Sequence, residues 1–376
     1  MRLIIYILLL TTSITVNAQI DSLLSKITFE LDYRFRAEQD WDSKRSDGSF
    51  RENRSRLRYR LRAGVTYEDK YYSIGTRVRT GDPNKQQDPQ LTLGKGLQEF
   101  GTLPIGFEKA YFQYNRNNYR IWLGKNTYPF EKNNELFWSD NVFPEGVALE
   151  KTIPFESSLV NSIKVATGHF IINSNDTSLS DDAYFQGLQT TISMGNNSVK
   201  VFPSIYLFRN IPNIPDGADT FELDYTIFHI GSRFSLLKEK RLMLKADYYQ
   251  NLENYTDNTN ISSTLMNHKT GVTLGVKYGE LKEKKDWFLE VTYANLERYS
   301  ILDYMAQNDW ARWDYSAFNS PDGRLSNMQG IEVVYAYAIT SKIKFVTKYY
   351  LVEQLTQVGI AKENGQRVRF DIDINI

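Results

Sequence analysis

Cysteine is absent from the 376 residues, and its absence excludes a disulfide framework, a thiolate zinc site and a cysteine nucleophile together. Histidine is nearly absent. His169, His229 and His268 complete the set, which leaves little for imidazole metal or acid–base chemistry. Net charge is missing too: 45 basic residues balance 45 acidic ones, unlike nucleic-acid-binding or disordered chains, which usually carry a strong excess of one sign. After the N-terminal segment no run of 18 apolar residues exists, so no transmembrane helix is expected. What the chain has in quantity is aromatic rings, 25 Tyr, 21 Phe and 6 Trp, in a sequence whose mean hydropathy is −0.47.

Residues 1–18 have the layout of a secretory signal: Arg2, an apolar stretch from Leu3 to Leu10, and the small-x-small site Val16-Asn17-Ala18. Cleavage before Gln19 would leave residues 19–376 as a single exported domain. That domain alternates with period two. From Ile27 to Phe35 every odd position is apolar, and the even positions from Thr28 to Arg36 are polar. Residues 54–67 repeat the pattern, with Leu57, Tyr59, Leu61, Ala63 and Val65 on one face and Arg54, Arg56, Arg58, Arg60 and Arg62 on the other. Only a strand sorts such residues onto two faces. A row of arginines cannot form the dry side of a packed sandwich, because each unpaired buried guanidinium carries a large desolvation cost. Runs of this length also exceed the usual soluble strand of about five or six residues and suit a bilayer, which takes about 9–11 tilted ones.

The expected fold class is therefore all-β, a transmembrane antiparallel β-barrel that is apolar outside and polar inside. Sixteen strands are predicted, near residues 27–36, 54–67, 72–80, 107–114, 119–126, 145–150, 159–169, 183–194, 198–208, 221–234, 241–251, 269–279, 286–296, 330–339, 342–354 and 365–376. Links between them alternate short and long, as periplasmic turns and extracellular loops do. Tyr67, Tyr71, Tyr72, Tyr114, Tyr119, Tyr278 and Trp287 flank short turns, where an interfacial girdle would lie. Cross-strand aromatic pairing accounts for some of them equally well.

Residues 57–65 (LRYRLRAGV), 73–82 (SIGTRVRTGD), 109–114 (KAYFQY), 123–125 (LGK) and 143–149 (FPEGVAL) together resemble the bacterial putative porin family. The C-terminal Ile376 departs from the Phe that more often ends such barrels. The resemblance implies a water-filled diffusion channel in the bacterial outer membrane; the arginines suggest small anionic solutes and the many tyrosines suit stacking against small polar ones such as sugars, so the solute stays open. It also implies contact with lipid and lipopolysaccharide and insertion by the barrel-assembly machinery, and barrels of this size often assemble as homotrimers; the charge balance, the missing cysteine and the scarce histidine give no reason to expect nucleic acid, a cofactor, a metal or a catalytic residue.

On the strand parities, Arg34, Arg36, Arg54, Arg56, Arg58, Arg77, Arg79, Arg367 and Arg369 point inward near the outer ends of four adjoining strands, with Lys344 and Lys348 beside them. They form either a basic half-ring that biases conduction toward anions or a hydrated wall whose charges are paired with Glu30, Asp32, Asp371 and Asp373. The link 127–144 carries Glu131, Glu135, Trp138 and Asp140. It either folds inward as an acidic, aromatic constriction or packs outside as a compact loop. Two other readings stay open. A surface adhesin would use the long link 297–329 with Trp310, Trp313 and Tyr315, and an outer-membrane hydrolase would need a Ser-His-acid set that the sequence does not display.

Overall fold

The computed structural model describes residues 24–87, 89–94, 100–157, 159–212, 221–236, 241–303, 305–310 and 326–376. The predicted signal segment 1–18 lies outside them, as do Trp313 and Tyr315. Every named element is a strand. The first nine are β1 (Ile27–Lys44), β2 (Arg54–Glu68), β3 (Tyr72–Thr80), β4 (Leu91–Thr92), β5 (Ile105–Arg116), β6 (Tyr119–Lys125), β7 (Glu145–Pro154), β8 (Val160–Asn173) and β9 (Ala183–Met194). The others are β10 (Val199–Pro212), β11 (Glu222–Ser235), β12 (Leu242–Asn251), β13 (Thr270–Gly279), β14 (Trp287–Leu296), β15 (Met328–Ala338), β16 (Ile343–Gln354) and β17 (Asn364–Asn375).

Sixteen of these pair antiparallel with their neighbours around a closed barrel, and β1 joins β17 at the seam. Closure joins the first strand to the last, which is what a strand-built structure needs in lipid. The seventeenth, β4, is a two-residue piece of the link after β3; it extends the sheet by pairing with Tyr59 and Arg58 of β2. It is too short to show a period.

Register keeps the two faces apart. Leu57 and Leu61 are exposed outward while Arg58, Arg60 and Arg62 are buried inside. Phe29, Ile74, Leu123, Leu188, Leu274, Val276, Phe370 and Ile372 continue the apolar belt, whose natural solvent is hydrocarbon. Tyr67 lies against Tyr72, and Tyr278 against Trp287, beside the short turns.

β1 runs eight residues beyond its predicted end. From Ala37 to Lys44 both faces are polar or small except at Trp41, so alternation stops where the strand leaves the lipid, although the backbone ladder with Arg54–Leu57 continues.

Candidate pore constriction

Three links turn into the barrel. The one between β6 and β7, residues 126–144, is an inward fold and not an external loop. Its Tyr128, Phe130, Leu136, Phe137, Trp138, Val142 and Phe143 are all buried. Phe137 stacks on Tyr206 of β10 at 4.9 Å and Tyr249 of β12 at 5.5 Å, and Trp138 stacks on Tyr128 at 4.5 Å. Gly187 of β9 provides the seat for Phe130: a Cβ there would overlap the ring. This apolar packing fills the lumen beside β8–β12.

The tip of the same link is held by polar bonds. Gln189 accepts from the Glu131 amide at 2.6 Å and donates to its carbonyl at 3.1 Å. Arg233 donates to the Lys132 carbonyl at 2.9 Å. Asn133 Nδ2 donates to the carbonyls of Ser232 and Ala246 and to Asp247 Oδ1, at 2.9, 3.2 and 3.1 Å.

Opposite stands the basic wall, and its charges are paired. Arg34 grips Asp373 with two bonds of 2.5 and 2.7 Å, and Arg36 grips Asp371 with two of 2.8 and 3.2 Å; such bidentate geometry is the strong form of the interaction. Arg60 pairs with Asp32, Arg56 with Glu38, and Arg54 and Arg367 with Asp40. Glu108 of β5, fully buried, bridges Arg62 at 2.6 Å and Arg77 at 2.7 Å. Glu30 stands 3.5 Å from Arg77. Of these acids, Glu38, Asp40 and Glu108 are not among the counter-charges that sequence reasoning named.

The other inward links complete the wall. Arg58 donates to the Gln90 carbonyl at 3.0 Å, and Arg79 donates to the carbonyls of Asp82 and Lys85. From the link after β14, Asp309 bonds Arg369 and Arg367 and lies 4.0 Å from Arg36. Burial alone would raise the Asp309 carboxyl. The nearby Arg369, Arg36 and Arg367, with Lys348, more than reverse that and hold it well below the usual carboxylate range. No local pattern marks Asp309; its partners on β17 lie about 60 residues away.

Between wall and loop remains a cavity of about 280 Å³. Arg34, Arg36, Arg58, Arg60, Arg62, Arg369 and Lys348 line one side, and Glu135, Asp140 and Asp309 are brought to it by the inward links, with Asp32 and Asp371 on the wall itself. Seven cationic groups thus face five carboxylates. The Asp140 side chain is 70% exposed and pairs with Lys132 at 2.5 Å.

The other anticipated residues are placed elsewhere. Arg54 and Arg56 sit at the outer end of β2, whereas Arg34, Arg36 and Arg369 lie mid-strand, so the basic cluster is not confined to the outer ends. Arg77, Arg79 and Arg367 brace the wall and links without lining the cavity, and Lys344 lies by the β15–β16 turn, opposite Ala338. Trp138 is buried, with its indole donating to the Val142 carbonyl. Glu131 faces Lys164, Lys200 and Arg233 at 3.5–3.9 Å on another side of the barrel. Burial would raise its carboxyl, and those three cations lower it by more.

A Ser-His-acid line does exist, which the sequence did not show because each of three strands supplies one member. Ser204 lies 3.4 Å from His229 Nδ1, and His229 Nε2 lies 3.1 Å from Asp247. All three are buried, and the imidazole is stacked by Tyr249 at 4.5 Å and faces Phe137 at 6.4 Å. Trp310, on the long link that an adhesin would present, is also buried, against Tyr350.

Comparison with curated protein sequences finds no match. Among solved structures, the chain is similar to OprB of Pseudomonas putida at 12% identity and TM-score 0.54, covering 95% of this chain and 96% of that one. OmpF of Salmonella typhi, in a complex with daunomycin, gives 10% identity and TM-score 0.54, with 93% and 97% covered. A mutant of the Rhodopseudomonas blastica porin gives 12% and 0.51, with 93% and 100% covered. These likenesses establish the barrel fold. The family likeness comes from the chain itself: residues 46–222, a little under half of it, match the putative porin family.

Proposed function

We propose that the protein is an outer-membrane porin, a water-filled channel for passive diffusion of small polar solutes with a weak preference for anions. The observation that carries this reading is the polar cavity between a paired arginine wall and acidic inward links. Fixed charges of opposite sign across a narrow lumen create a transverse field that favours polar over apolar solutes. The small excess of cations supports a slight anion bias, and the pairing keeps it slight. Lipid and lipopolysaccharide around the apolar belt, delivery by the assembly machinery and homotrimeric assembly belong to the same reading and are supported by the family resemblance.

The test is reconstitution of the purified chain in a planar bilayer under a salt gradient. Stepwise conductance and a zero-current potential displaced modestly toward the anion limit are expected. Insertion without conductance would refute the channel.

A further inference from the structure

We infer that Asp247 is a positioning residue of the pore constriction: from the wall across the lumen it helps Gln189 and Arg233 fix the inward link 126–144 and sets where the turn carrying Glu135 lies against the arginine wall. This rests on the porin reading. Asp247 lines no part of the cavity and is 2% exposed, so it acts through the asparagines it holds. Its carboxylate accepts four hydrogen bonds in the structure. Two come from the link, Asn133 Nδ2 at 3.1 Å and Asn134 Nδ2 at 3.0 Å. The other two come from the barrel, Thr273 Oγ1 at 2.7 Å and His229 Nε2 at 3.1 Å.

A buried carboxylate that loses half its donors in a low-dielectric interior is strongly penalised. The charge therefore resists the link's departure more firmly than a neutral acceptor would. Asn134 is shared, donating also to Thr273 at 2.9 Å, while its own side-chain carbonyl accepts from the Leu136 amide. The grip thus passes directly into the turn that carries Glu135 and Phe137. With the tip held, Phe137 fills the space beside Tyr206 and Tyr249, and the water path is left along the arginine wall. Without it, the acidic residues no longer oppose the arginines and the aromatic side of the lumen opens.

The experiment uses the full chain in planar bilayers and compares wild type, Asn133→Ala with Asn134→Ala, Asp247→Ala, and the exchange Asn134→Asp with Asp247→Asn. In the exchange the amide now at position 247 donates to the carboxylate now at position 134 and still accepts from Asn133 and His229, while that carboxylate gives Thr273 an acceptor. We expect the alanine variants to show conductance raised at least about twofold, passage of larger polyethylene glycols, and a stronger anion bias. The exchange should return all three toward wild type, a rescue that a role in folding alone would not give. Folded alanine-pair channels with wild-type conductance, size limit and zero-current potential would overturn the inference. Should Asp247→Ala fail to fold, the alanine pair and the exchange decide it. A wild-type protein that never conducts overturns the porin reading itself, a result distinct from wild-type channels that conduct and do not respond to these substitutions.

Discussion

The wall arginines do not act as free charges. Most are committed to Asp32, Glu38, Asp40, Glu108, Asp309, Asp371 and Asp373, so the anion preference proposed above would depend on the residual imbalance at the cavity. Each cavity carboxylate offsets roughly 0.5–1 kcal/mol of an anion's local attraction in this wet setting, against about 1.4 kcal/mol per decade of preference. Glu135→Gln with Asp140→Asn should therefore raise the anion-to-cation permeability ratio several-fold, read from the zero-current potential. Glu131→Gln should leave it unchanged, because that carboxylate answers Lys164, Lys200 and Arg233 away from the cavity; an equal shift from all three positions would disprove the placement. Asp309 adds a pH dependence. Its depressed folded-state value means that its contribution is fully present above the ordinary carboxylate value of 3.8 and is lost only as pH falls through the lower one. The link it secures should stay quiet in single-channel records from pH 7 to about 4, while Asp309→Asn should show added current noise throughout that range. Noise in the wild type already at about pH 5 would count against the assignment.

Strands were legible in the sequence because a bilayer outside and water inside impose period two on every lipid-spanning segment. All sixteen predicted strands form. The same contrast sets a stability prediction: Leu61→Arg, on the outer face of β2 opposite Tyr33, should destabilise the inserted barrel by about 2–4 kcal/mol if it lies near the midplane, measured as a shift in denaturant midpoint in lipid vesicles. The links were another matter. The rings and acids of 126–144 are equally at home outside or inside a barrel, and what pulls them inward is supplied by Gln189, Arg233 and Asp247 on strands 58 to 114 residues further along. No spacing rule joins such partners, which is also why the Ser204, His229 and Asp247 line has no signature in the sequence. Gly187→Val tests the apolar half of that seating: crowding Phe130 should lower the thermal midpoint, since overpacking costs about 1–3 kcal/mol, and an unchanged midpoint would mean that the link packs elsewhere.

At the scale of the whole molecule, closure and charge lining are one construction. The bidentate pairs Arg34–Asp373 and Arg36–Asp371 join residues 339 and 335 positions apart, across the ladder where β17 meets β1. Removing residues 368–376 deletes the pairing of Val368–Asn375 with β1 and of Val368–Ile374 with β16. That truncation should abolish barrel formation in vesicles, judged by loss of strand circular dichroism and of protease resistance; a truncated chain that still folds and conducts would show that the seam is dispensable. The seam also bears on cell integrity. A nascent or trimmed chain has no ends to join, and a slip of one residue would point the arginines at lipid. The arginine wall therefore forms in the same event that seals the barrel, so in the channel proposed above an incomplete copy is expected to leave no open pore, which would spare the envelope a leak.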